Sequence, residues 1–406
     1  MSSQNTAATA PDPFFEVIPG HEWNACIGIQ SSDEDYVDGY MQAALELAAA
    51  VIDKRQYAKR DTLAMPILYN ARHAVELSLK YVIDRLVEAG VLGQAHAKNH
   101  DIRSHWAFID DANVGDTAFR AHVQALKIFV DSLHAVDEDG QQLRYAHTQD
   151  GQKSLETKAL CNLEWIRGSL LDLDRSLTAI RHCSHRLVDE RRTGTFTTEL
   201  SRTDLFALAA MLPPFDAWTR EAITKAKDAA RSRFGLSSNQ LTRAINVVKA
   251  HRQMAGSLGK EFDLAHLGDA DIHLIVTEWI KAHRPAKPPA DDLGSDVFQM
   301  DPIDLEAIWR LSEAADAVVL AALSTEKIAD LQTVYYIGSR SLFAEDYDAH
   351  LARALSAPVG STPAEAVHHI MTKSNLPPAL ANSLEILGRP RQANEIRRML
   401  SANFAG

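Results

Sequence analysis

Cysteine is scarce in this chain: Cys26, Cys161 and Cys183 are the three it has in 406 residues. Three scattered thiols make neither a disulfide framework nor a cysteine zinc site, and they point to a reducing, cytoplasmic setting. Long hydrophobic runs are missing as well. No apolar stretch approaches the roughly 18 residues of a membrane span, so no membrane partner is expected. The opening residues, Met1 to Pro13, are polar, with neither a basic start nor an apolar core. They are no secretory signal and read as part of a disordered tail. Positive charge is in deficit, with 42 Lys and Arg against 54 Asp and Glu and a net charge of −12. Coating a nucleic acid needs clustered Lys and Arg, so only a local basic patch is left open.

Several chemical signatures are absent too. There is no phosphate-cradling GxxxxGK[ST], no GxGxxG after a strand, no GxSxG and no HExxH. Nucleotide hydrolysis, redox chemistry and the zinc-protease mechanism therefore lack support, and no cofactor is expected. Strand signal is nearly missing, which leaves an all-α chain.

What is present is helical periodicity. The stretch from Asp61 to Gly90 carries Ile67, Ala71, Val75, Leu79, Val82 and Leu86 at spacings of three and four, one apolar stripe. Pro66 is placed in its first turn and Gly90 at its end. Arg72, Glu76 and Lys80, four apart, read as a solvated face of alternating charge. Before this stretch, Asp33 to Lys54 is a helix capped by Asp33 or Asp35. After it, Asn99 or Asp101 caps a short helix with Trp106 and Phe108. Gly115 to Val136 is amphipathic, with Phe119, Val123, Leu126 and Val130 on one side. Asp137 to Gly151 reads as a loop or short hairpin. Leu155 to Arg192 reads as one helix of over ten turns.

These elements make an N-terminal helical bundle over 33–192, after a disordered tail over 1–32. A second helical segment over 201–284 breaks at Pro213–Pro214, and Ser237 or Ser238 caps a helix that buries Leu241, Ile245 and Val248. A proline-rich linker over 285–301 leads to a C-terminal helical domain over 302–406.

The densest cluster of reactive side chains lies late in the bundle, from Arg175 to Arg192, with five Arg and two His against two acids. Arg175 and His182 are seven apart and share a face, about 10 Å apart along the axis. Arg181 and His185 form a second row, and Arg186 adjoins them. An imidazole that titrates near neutrality can move a proton while a guanidinium holds a phosphate oxygen. That pairing is the minimum for cleaving RNA without a metal. The bland alternative is a basic helix end beside the negative pole of its dipole. His182, Cys183 and His185 lack a second ligand pair, so no metal is expected. Arg144 and His147, in the loop LRYAHTQDG, are further candidates for contacting RNA, and Tyr145 could stack on a base or pack inward. His96, His100 and His105 flank Asp101, which reads as a helix cap, with the histidines exposed or hydrogen-bonded.

The order HAVELSLKYVI (His73 to Ile83), NHDIRSHW (Asn99 to Trp106) and LRYAHTQDG (Leu143 to Gly151) resembles HEPN-type helical proteins of prokaryotic defence and toxin systems. The resemblance spans about residues 35–192. It implies a helical bundle, frequent homodimerisation and, in active members, an Arg, four to six residues, then His motif that cleaves RNA at a dimer interface. Carried onto this chain, that motif is Arg175 and His182, with Ser176 as the polar residue after the Arg. The resulting expectation is a metal-independent endoribonuclease or RNA-binding protein. The alternative is a non-catalytic helical scaffold or sensor for a protein partner, since many members are inactive.

Overall fold

The computed structural model describes residues 12–97, 99–148, 150–156, 158–283, 305–356 and 362–404. Sixteen α-helices and no strand lie among the described residues, so the all-α expectation holds. The expected linker over 285–301 falls outside them, as do residues 1–11 of the expected tail. Residues 12–30 are exposed, in turns and irregular backbone with one short 3-10 segment at Gly28–Gln30. No helix among the described residues is long and apolar enough to cross a membrane.

The chain divides into two compact units: Met1–Asn113 with Phe119–His185, and Val114–Ala118 with Arg186–Gly406. The first is built on α1 (Asp33–Asp53), α2 (Arg60–Glu88), α3 (Ile102–Asp111), and most of α4 (Thr117–Val136) and α5 (Leu163–Arg191). Helix α1 starts one residue earlier than its acids imply. Ser32 is the cap, and Asp35 closes a capping box by accepting the Ser32 N–H. Its small residues Ala44 and Ala48 are fully buried and let α1 lie close along α2. The stripe on α2 is buried as the spacing predicts, from Ile67 through Leu86. Each such aliphatic side chain contributes about 1.5–3 kcal/mol by leaving water.

Three local expectations need correction. Helix α2 begins at Arg60, after a 3-10 turn at Tyr57–Lys59, so Pro66 lies inside the helix rather than in its first turn. Helix α5 begins at Leu163 and spans 29 residues, not the whole run from Leu155. Leu155 takes a left-handed backbone (φ 59°), which no helix continues through, and the Asn162 side chain accepts the Trp165 N–H at the true start. The third concerns Arg72 and Glu76. Both are buried, so their row on α2 is no solvated face.

The second unit holds α6 (Arg202–Ala209), α7 (Arg220–Phe234), α8 (Ser238–Ala250), α9 (Arg252–Ser257) and α10 (Asp269–His283). It continues with α11 (Leu305–Ala322), α12 (Thr325–Ser339), α13 (Tyr347–Ser356), α14 (Pro363–Met371), α15 (Leu376–Ile386) and α16 (Pro390–Phe404). The Pro213–Pro214 break separates α6 from α7, and Ser237 caps α8 in a capping box with Gln240. Two apolar clusters fill this unit. One gathers Leu205, Leu208, Leu241, Ile245 and Val248. The other gathers Ile275, Val334, Ile370, Leu380 and Leu384. Gly338 of α12 faces the Ala379 carbonyl of α15 with no room for a Cβ, which is why a glycine stands there.

Candidate functional site

Arg175 and His182 both lie on the exposed side of α5, two turns apart as their spacing requires. The Arg175 guanidinium, 73% exposed, pairs with Asp172 one turn earlier. His182 makes no hydrogen bond or ion pair with any other described residue. The rest of the basic island is engaged. Arg181 is buried against Asp38 of α1, with Nε and Nη1 also enclosed, so it presents no open fork to a phosphate. His185 Nε2 meets the Tyr81 hydroxyl at 2.6 Å and Glu34 at 3.2 Å. Burial, the hydrogen bond to Glu34 and that carboxylate's charge push the Tyr81 phenol up to about 12. Arg186, in the second unit, pairs with Asp116 at 2.8 Å and Glu190 at 3.1 Å. Arg181, His185 and Arg186 thus fasten α5 to its surroundings, while Arg175, His182 and, at the end of the helix, Arg192 face solvent.

Polar side chains are organised more tightly on α2. The buried Arg72 guanidinium donates from Nε to the Asp137 carbonyl at 2.8 Å and from Nη2 to the His100 carbonyl at 2.7 Å and Glu138 carbonyl at 3.1 Å. Its Nη1 reaches Glu76 at 3.2 Å. Glu76 Oε1 also accepts from Lys80 Nζ at 2.7 Å and His100 Nδ1 at 2.8 Å. Burial works against the Glu76 charge, yet the hydrogen bonds and charges of Lys80 and His100 outweigh it and hold the carboxyl below its ordinary range. His73 lies beside this group, edge-on to Tyr40 and stacked on Tyr69, and burial holds its imidazole below the usual value.

Of the two loop candidates, Arg144 joins this region and His147 does not. The Arg144 guanidinium lies over the rings of Tyr69 and Tyr145, and its Nε donates to the Gly140 carbonyl at 2.6 Å. Gly140 has φ 80°, and a Cβ there would come within 3.0 Å of Arg72 Nη1. His147 is exposed and forms one isolated antiparallel bridge with Lys153, the short hairpin expected of this loop. Tyr145 is 55% exposed rather than packed inward.

Asp101 caps α3 as read, accepting the Arg103 and Ser104 N–H groups. His105 is buried, and His96 bonds the Ser104 hydroxyl. The carboxylate that orients a histidine here is Glu76 on His100, a pairing that spacing along the chain does not reveal. Its one hint is that Ala74, Ser78 and Ile83, off the main stripe of α2, are apolar or small, as a second packed face requires.

In the second unit, Glu345 accepts from Arg202 at 2.9 Å and lies 3.0 Å from His251 Nε2. Burial opposes the Glu345 charge, and hydrogen bonds from His251, Arg202 and Thr195 more than offset it, leaving the carboxyl far below its ordinary range. His251 Nδ1 accepts the Met254 N–H as the cap of α9, which fixes the hydrogen on Nε2. Nδ1 is thus used by the helix cap, and Nε2 is buried beside the Glu345 carboxylate. No group of three or more His, Cys, Asp or Glu among the described residues has the geometry to hold a metal ion. Comparison with protein-family models, curated proteins and solved structures found no match.

Proposed function

We propose that this chain binds RNA and cleaves it without a metal ion, with Arg175 holding a phosphate oxygen and His182 moving the proton. The observation that carries the reading is the exposure of these two groups on one side of α5, while Arg181 and Arg186 beside them are largely withdrawn from water into ion pairs. In the reaction the ribose 2′-oxygen attacks the adjacent phosphorus as His182 takes the hydroxyl proton. The bond from phosphorus to the 5′-oxygen breaks, giving a 2′,3′-cyclic phosphate and a 5′-hydroxyl. The leaving oxygen needs a proton as well, and one Arg–His pair has a single transfer group. A second copy of the chain, related by twofold symmetry, supplies the other imidazole. Arg175 exchanges its Asp172 partner for the phosphate, a small cost for an exposed pair.

RNA incubated in EDTA tests the reading. Wild type is expected to produce cyclic-phosphate ends, and His182→Ala and Arg175→Ala are each expected to abolish them. Intact RNA with wild-type protein overturns the proposal.

The second reading is a non-catalytic scaffold, and one observation favours it. Trp165, 80% exposed, and Leu171, 48% exposed, are large apolar side chains that α5 leaves in water, as anchors for a protein partner would be. Intact RNA together with a stable protein complex that Trp165→Ala disrupts is the outcome expected of that reading.

A further inference from the structure

We propose that Arg144, His100 and Tyr145 form a binding site for a nucleoside phosphate, separate from the α5 pair and independent of any cleavage there. The site starts from the direction in which each side chain is held. An ionised carboxylate can only accept, so His100 Nδ1 carries the hydrogen that meets Glu76 at 2.8 Å. The ring is thereby fixed while its side chain stays 65% exposed, with Nε2 on the edge away from the carboxylate. With a proton, Nε2 donates to a phosphate oxygen; without one, it accepts from a ribose hydroxyl. A nucleotide offers both.

Arg144 is braced in a similar way. Two aromatic rings and the Gly140 carbonyl hold its guanidinium through its faces and Nε. Its two terminal nitrogens make no hydrogen bond with any other described residue. They are the fork that grips a phosphate through two parallel hydrogen bonds.

The two groups are tied to one buried point. Arg72 Nη2 holds the backbone of His100, and Arg72 Nη1 lies beneath Gly140, whose carbonyl holds Arg144. The mutual placement of imidazole and fork is therefore set by a guanidinium that is itself fixed by four bonds. Exposed Tyr145 adds a ring on which a base can stack. The neighbouring acids Glu138 and Asp139 are exposed and disfavour a long polyanion, so a single phosphate on a nucleoside is the ligand that fits.

Titration calorimetry on the full chain with AMP, UMP, adenosine, inorganic phosphate and a short oligoribonucleotide tests the site. A monophosphate is expected to bind saturably, and adenosine and inorganic phosphate each at least about tenfold more weakly, since each lacks half of the contacts. Arg144→Ala and His100→Ala are each expected to weaken the monophosphate by about tenfold. Arg144→Lys falls between, because it keeps the charge and loses the fork. Arg144→Ala and Arg144→Lys should melt as wild type does, whereas His100→Ala removes a donor from buried Glu76 and should melt lower, so circular dichroism at the assay temperature is used to separate lost binding from lost folding. Tighter binding of the oligoribonucleotide with the same dependence on Arg144 and His100 supports the site and makes an RNA chain the source of the phosphate. Absence of saturable binding by any phosphorylated probe, or binding that both alanine variants leave intact, overturns it. A failed cleavage assay with His182→Ala and wild type leaves this result untouched, so the two proposals fail separately.

Discussion

Two charged rows look alike in the sequence and end in opposite places. Arg72, Glu76 and Lys80 on α2 are four apart and Arg175 and His182 on α5 seven apart, each set sharing one face of its helix. On α2 the first two are enclosed and bonded on every side; on α5 Arg175 and His182 stand in water. The difference comes from backbone delivered from far along the chain. The carbonyls of His100, Asp137 and Glu138 converge on Arg72 and replace the water its guanidinium gives up. Nothing comparable among the described residues reaches Arg175, whose partner is one turn away on its own helix. Whether a row of charge is a face or a core thus depends on what the loops bring to it.

The largest effect expected from this contrast is on stability. Arg72→Met should lower the free energy of unfolding by about 3–5 kcal/mol, because it leaves Glu76 buried with less compensation and three carbonyls without a donor. Urea denaturation followed by circular dichroism measures it. A loss below about 1 kcal/mol would mean that water replaces the guanidinium and that the α2 row behaves as the α5 row does.

The next effect is on pH dependence. The folded Glu76 carboxyl sits below its ordinary range despite burial, because Lys80 and His100 bond and face it. A depressed folded value means that this group's contribution is present above the unfolded carboxyl value, about 4.3, and is lost as pH falls below it. Unfolding free energy should therefore drop on acidification from pH 6 to 3. Glu76→Gln is expected to start lower and to fall less steeply, since its amide does not titrate. Parallel curves for the two proteins would show that Glu76 does not feel the charges around it.

Legibility in the sequence follows the same division. The apolar stripe of α2, the Phe119–Val130 face of α4 and the cap at Asp101 are local patterns, and each stands where its spacing puts it. That Arg175 and His182 share one side of α5 was legible for the same reason, since it needs nothing beyond one helix. The start of α5 was not, because Leu163 and Leu155 satisfy the same periodicity, and the left-handed Leu155 and the Asn162 cap that separate them leave no mark in that spacing. Nor was the α2 network, whose partners lie up to 66 positions away. The Asp101 cap offers a local test of intermediate size. Asp101→Ala should cost about 1 kcal/mol, through loss of the acceptor for two N–H groups, measured by the same denaturation experiment. A cost near that of Arg72→Met would mean that Asp101 belongs to the buried network rather than to the end of α3.

The smallest stability effect should come from the α5 pair, and its smallness is what makes it informative. Arg175 is 73% exposed and its Asp172 partner 59% exposed, so their attraction is screened by solvent and contributes little to the fold. Arg175→Ala and His182→Ala should each change the unfolding free energy by no more than about 0.5 kcal/mol. A larger loss would mean that these side chains support the bundle as Arg181 does through Asp38, and their exposure would then carry no functional meaning. If stability is unchanged, lost RNA cleavage in the same two variants can be assigned to chemistry at the helix surface. Arg181→Ala completes the comparison: it leaves the Asp38 and Asp174 carboxylates without their shared cation, so it should cost measurably more stability than Arg175→Ala. That ordering of two arginines six residues apart is the sharpest available separation of structural from functional charge on one helix.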